Sequence, residues 1–209
     1  MEYYQNTSHL ERPRLNKLLE EAMEYPLVTI YAGTGYGKTR MVYSFLRKYA
    51  ANTTWVQISE RDNMATRFWE NFKHVAAISV PKVGERLSEI GFPATPEAFD
   101  KFEKLVKEVG ALPEKHVIVC DDFHLLSNPV VMEFFVKAIN ILPQNMTMIL
   151  ISRTTPEVNL IEMLLQEQVF TIHENALRFS EEEIARYFNQ LKLPATRPSI
   201  KNIYDDTQG

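Results

Sequence analysis

With 209 residues, 45% of them apolar and 24% charged, the chain has the length for one α/β domain with a small appendage, and its composition excludes a disordered or fibrous protein. A formal charge of -4 at pH 7 and a pI near 5.8 lack the clustered basic excess that binding a phosphate backbone needs, which excludes a strong nucleic-acid binder. The single cysteine, Cys120, excludes an internal disulfide framework and a cysteine-based zinc site. With no leader-like N-terminus and no apolar run of about 18 residues, it points to a cytoplasmic protein without a membrane partner.

The first strand expected along the chain is LVTIYA at residues 27–32, and the next eleven residues hold the densest chemical signal in the sequence. AGTGYGKT at residues 32–39 lies between that apolar run and the helical run TRMVYSFLRKYA. Strand, glycine-rich turn and helix in this order are what a phosphate-binding P-loop requires, because backbone amides wrap the anion while the helix points its N-terminal dipole at it. Gly33, Thr34, Gly35, Tyr36, Gly37, Lys38, Thr39 and Arg40 are therefore the candidate nucleotide-binding residues. Gly35 and Gly37 permit close backbone approach, Lys38 reaches the β- and γ-phosphates, and the Thr39 hydroxyl ligates magnesium. Ala32, at the first motif position, ends the strand and needs only to be small. The competing reading is a glycine-rich turn with no ligand.

A second strand is expected at 53–59, with Trp55 and Trp69 as packing residues, and a helix from the cap Thr95 followed by proline. The third strand, HVIVCDD at 116–122, carries Cys120 into the core and ends in two acids, at the strand end where open α/β sheets place ligands. Asp121 is the expected magnesium-organising carboxylate, and Asp122 the acid that orients or polarises an attacking water. Alternatively, the pair caps the following loop. A helix from the cap Asn128 presents Val131, Phe134, Phe135, Ala138 and Leu142 as one core-facing stripe.

The fourth strand, at 146–152, is followed by Arg153, which either senses a γ-phosphate or forms a surface ion pair. A helix is expected from Thr155 and Pro156, a fifth strand at 169–174, and a capping box at Ser180–Glu183 opens a further helix. The histidines at 9, 74, 116, 124 and 173 have no paired metal-ligand spacing. Apolar strands alternating with helices imply a doubly wound α/β fold with a five-stranded parallel sheet flanked by helices.

The ordered segments ERPRLNKLLEEAMEYPLVTIYAGTGYGKT, TTWVQISERDNMATRFWENF, VIVCDDFHLL, ILISRTTPEVNL and LRFSEEEIARYF resemble the nucleotide-binding domain of MalT-like, LuxR-type transcriptional regulators. These belong to the STAND signal-transduction ATPases. The resemblance covers nearly the whole chain and implies a P-loop NTPase of the AAA+/STAND type. It divides the chain into an N-terminal adenine-side segment at 1–26, the ATPase core at 27–178, and the start of a C-terminal helical segment at 179–209.

The resemblance also implies a regulatory ATPase that rests with ADP, exchanges to ATP with Mg2+ when an inducer binds downstream, and then self-associates. DNA would be contacted only through a domain beyond residue 209. By the same resemblance Arg12, Pro13 and Arg14 lie near the adenine and ribose, Asp121 and Asp122 match the family's acidic pair, and Arg153 its sensor arginine. The catalytic set is then Asp122, Lys38 and Arg153, and the metal set Thr39 and Asp121. Two departures stand out: Gly33 and Thr34 replace a common Pro and Ala, and Arg40 replaces a hydroxyl residue that contacts the α-phosphate. Two other functions compete with a slowly hydrolysing switch: an ATPase whose turnover is its product, and a scaffold module that needs no nucleotide.

Overall fold

The computed structural model describes residues 10–49, 51–111, 113–156, 160–207 and 209. Five parallel strands, β1 (Leu27–Tyr31), β2 (Asn52–Gln57), β3 (His116–Asp121), β4 (Met146–Ser152) and β5 (Val169–His173), form one sheet in the order β2-β3-β4-β1-β5. All four pairings are parallel. β4, central in the sheet, is buried at every residue, which explains why MTMILIS is apolar without alternation.

Strand residues point alternately to two cores. On one face Val28, Ile30, Val119, Ile149 and Ile151 pack beneath α1 (Pro13–Ala22) and α2 (Lys38–Leu46). On the other, Leu27, Val56, Cys120, Met148 and Leu150 meet α3 (Ala65–Ser79), α4 (Pro81–Ile90), α5 (Pro96–Gly110) and α6 (Pro129–Asn140). Trp69 and Phe68 anchor this second core, with Phe92, Phe102, Phe134 and Phe135 around them at edge-on or tilted angles. Trp55 lies in the first core and Cys120 in the second, where burial raises the thiol's pKa well above its ordinary value.

The expected caps form. Thr95 Oγ1 accepts from Ala98 N at 3.3 Å, and Asn128 Oδ1 accepts from Val130 N at 2.9 Å and Val131 N at 3.3 Å. The Ser180–Glu183 box opens α9 (Glu181–Gln190), between the short α8 (Glu174–Leu177) and α10 (Arg197–Thr207). Two expectations are corrected. α6 ends at Asn140, so Leu142 lies beyond the helix, although it still packs on the core. The helix expected from Pro156 starts later, as α7 (Ile161–Leu165); Thr155, Pro156 and Leu160 are not helical, and residues 157–159 lie outside the described residues. A Thr-Pro pair signals a helix start only when the chain can turn there, and here the chain first leaves the end of β4.

Among the described residues no helix is long and apolar enough to cross a membrane.

Candidate functional site

The C-terminal ends of β1, β3 and β4 converge on one edge of the sheet. After β1 the chain turns through Gly33–Gly37 into α2, with Gly35 at φ 92° and Gly37 at φ 74°. These left-handed conformations favour glycine and turn successive amides to one side, forming an anion-accepting concavity at the start of a helix. A Cβ at either position would meet nothing within 4 Å, so backbone conformation rather than space calls for glycine. Gly33 has no positive φ, and Thr34 is exposed at the tip.

Lys38, the first residue of α2, is buried, and its Nζ donates to Ala32 O at 2.7 Å and Gly33 O at 2.8 Å. Burial lowers its pKa, opposed by the nearby charges of Asp121 and Asp122. The next residue, Thr39, donates its hydroxyl to Asp121 Oδ1 at 3.1 Å. The P-loop and the acidic strand are thus joined across β4 by two oxygen-bearing side chains. Asp121 is only 2% exposed, and burial raises its pKa despite the Thr39 hydrogen bond. A buried carboxylate beside a hydroxyl supplies hard oxygen ligands of the kind magnesium takes. Among the described residues no group of three or more His, Cys, Asp or Glu side chains gathers into a metal site. A cation bound by Thr39 and Asp121 would therefore complete its shell with phosphate and water oxygens. The residues present fit a Mg2+-nucleotide.

Asp122 follows in a left-handed conformation, φ 56° and ψ 37°, its amide donating to Asp121 Oδ1 at 3.0 Å. Arg153 Nε, at the end of β4, lies 3.9 Å from Asp122 Oδ1, as does His124 Nδ1. The two readings of Arg153 therefore converge, since its ion-pair partner is an acid of the site. His124 had no assigned role from sequence. Its Nδ1 is buried without a hydrogen-bond partner, and burial lowers its pKa while Asp122 opposes that.

Beside the glycine turn opens a cleft of about 680 Å³. One wall is Gly35, Tyr36, Gly37 and the α2 residues Arg40, Tyr43 and Arg47. The opposite wall joins Leu10, Arg12 and Leu15 to Phe179 and Tyr187. Arg12 lines the cleft, but its donors serve the protein: Nε bonds Glu183 Oε2 at 3.0 Å, Nη1 Leu177 O at 2.8 Å and Nη2 Arg178 O at 2.5 Å. Its guanidinium also stacks 4.1 Å from the Phe179 ring centroid. Arg14 bonds Ala176 O at 2.5 Å, Arg178 O at 2.7 Å and Glu183 Oε2 at 3.1 Å. Pro13 is the exposed first residue of α1. Arg12, Pro13 and Arg14 thus build the cleft's roof, and the two arginines clamp it to the 176–183 stretch. Glu183 and Phe179 were not in the sequence-derived set; the capping box marked Glu183 only as a helix start.

No known protein-family model matches the chain. It is 30% identical over 208 residues to the HTH-type transcriptional regulator MalT of Cronobacter sakazakii, covering 95% of this chain and 22% of that protein. It is likewise 30% identical over 193 residues to the MalT of Vibrio cholerae, covering 86% of this chain and 20% of that protein. The chain thus spans about a fifth of the length of these curated relatives. Among solved structures, a Walker-type ATPase of Pyrococcus abyssi superposes with a TM-score of 0.52 at 16% identity, over 94% of this chain and 63% of that one. The Aeropyrum pernix ORC1 protein, solved in complex with DNA, gives 0.53 at 16% identity, over 90% and 52%. At that identity these two likenesses establish the fold.

Proposed function

We propose that this chain, a homologue of HTH-type transcriptional regulators of the MalT kind built on a P-loop ATPase fold, is the ATP- and ADP-binding switch of a signal-responsive regulator. The observation that carries the reading is the pairing of Thr39 with buried Asp121 at the mouth of a left-handed glycine turn. In this reading the turn's amides and Lys38 hold the phosphates, while Thr39 and Asp121 hold Mg2+. Asp122 directs water at the γ-phosphate, and Arg153 registers whether that phosphate is present. Bound magnesium would supply charge neutralisation on the phosphates.

Arg40, in the first turn of α2 on the cleft wall, stands where a hydroxyl would contact the α-phosphate and supplies a cation instead. The base and ribose occupy the 680 Å³ cleft under the Arg12 clamp. Slow hydrolysis returns the protein to its ADP state. An inducer acting on a downstream region favours exchange to ATP, and the ATP form self-associates. DNA is reached through segments outside this chain.

Titration calorimetry tests the binding claim. The unaltered chain is expected to bind ADP and Mg-ATP, and Lys38→Ala to lose at least about a hundredfold in affinity, the loss of a charge-assisted contact to phosphate of about 3 kcal/mol. Unchanged affinity in Lys38→Ala would refute the site. ADP retained through purification supports the resting state proposed.

A further inference from the structure

Gln57, the last residue of β2, has no part in the chemistry assigned above, yet its side chain reaches the site. Its Nε2 donates to Asp122 Oδ2 at 2.8 Å. The backbone behind that amide is held from two directions. Gln57 lies in register with Asp121 across the β2–β3 ladder, and the following amide, Ile58 N, donates to Asp121 O at 2.9 Å. From α3, Asn71 Nδ2 donates to Gln57 O at 3.0 Å and also reaches Asp62 Oδ1 at 3.2 Å. Asp62 is buried and closes the capping box that follows β2.

Asp122, by contrast, sits just past the end of β3 in a left-handed turn, with its side chain 36% exposed. Neither a strand ladder nor close packing fixes its χ angles, so polar contacts must. Those contacts divide its two oxygens: Oδ2 takes the Gln57 amide, and Oδ1 faces Arg153 and His124, each at 3.9 Å. A neutral amide suits this task, since it fixes a direction without neutralising the charge an acid needs to orient water.

We infer that Gln57 is the positioning residue for Asp122, holding one carboxylate oxygen so that the other faces the reaction. The inference rests on the reading of Asp122 as the water-directing acid. In steady-state phosphate release by the 209-residue chain, Gln57→Ala is expected to lower kcat at least about tenfold, the scale of a misdirected catalytic group. KM for Mg-ATP and the calorimetric Kd for ADP should stay within about twofold, because the glycine turn and Lys38 are untouched. Gln57→Glu, equal in length but without the donor, should fall at least as far.

A crystal structure of Gln57→Ala should place the Asp122 carboxylate in more than one rotamer with the glycine turn unmoved. An unchanged or raised kcat in Gln57→Ala, or a loss of affinity parallel to the loss of kcat, would overturn the inference, as would an Asp122 rotamer that stays single. If the unaltered chain releases no phosphate, the hydrolytic reading fails separately, and the Asp122 rotamer in Gln57→Ala still decides the positioning claim.

Discussion

Single residues in this site are constrained by backbone conformation as much as by chemistry. Asp122 sits at φ 56°, a region that Asp and Asn tolerate and most other side chains do not. Asp122→Asn should therefore unfold at the same urea midpoint as the unaltered chain while losing phosphate release. Asp122→Ala should add a stability loss of about 1 kcal/mol from strain. The glycine turn divides in the same way. Gly33→Ala adds a Cβ in ordinary contact with the Tyr36 ring, at 3.5 Å, and should leave ADP affinity within about threefold, whereas Gly37→Ala at φ 74° should weaken it and destabilise the chain by about 1 kcal/mol. Equal losses in the two glycine variants, read by calorimetry and urea denaturation, would contradict this assignment. Most of these residues were legible in sequence because a P-loop is a local motif, with every part within a dozen positions. Gln57 was not, since its partner lies 65 positions away and only strand pairing brings the two together.

At the scale of elements, the contact that joins α1 to α9 is electrostatic and buried. Burial raises the pKa of Glu183, but hydrogen bonds from Arg12 and Arg14 overcome this and hold the carboxyl at about 2. A depressed acid stabilises the fold fully above its unfolded value near 4.5, and the contribution, about 3 kcal/mol, fades as pH falls from there toward 2. Urea denaturation should therefore find stability falling steeply between about pH 4.5 and 3. Glu183→Gln should cost about 3–5 kcal/mol at pH 7 by leaving Arg12 buried without its carboxylate, and should flatten that acid limb. An acid limb as steep in the variant as in the parent would show that another carboxyl sets it. The strands were readable because buried parallel strands are apolar runs, and α5, α6 and α9 because their caps are local. The start of α7 was misread for the complementary reason: Thr155 and Pro156 have the residue types of a helix start, but the chain there is still leaving β4.

For the whole molecule, sheet order places the chemistry. β4 separates β1 from β3, so the P-loop and the acidic pair face each other across one strand, with Arg153 at the end of the strand between them. Alternating apolar strands and helices announced the parallel sheet, and the acidic strand announced the site's edge. The cleft's second wall stayed hidden, because nothing local in ERPRL or in SEEE says that the two meet.

That second wall has a further consequence. Arg12 and Glu183 are 171 positions apart, and Phe179, stacked on Arg12, lines the same cleft as Gly35. A nucleotide lodged there would behave as a reversible crosslink between the early and late parts of the chain, and at a concentration of one hundred times Kd it would add about 2.7 kcal/mol to their shared opening free energy. Amide hydrogen exchange in residues 10–22 and 177–190 should then slow together on adding ADP, although most of those amides never touch the ligand. Protection confined to the glycine turn would show instead that the two ends open independently of what the cleft holds.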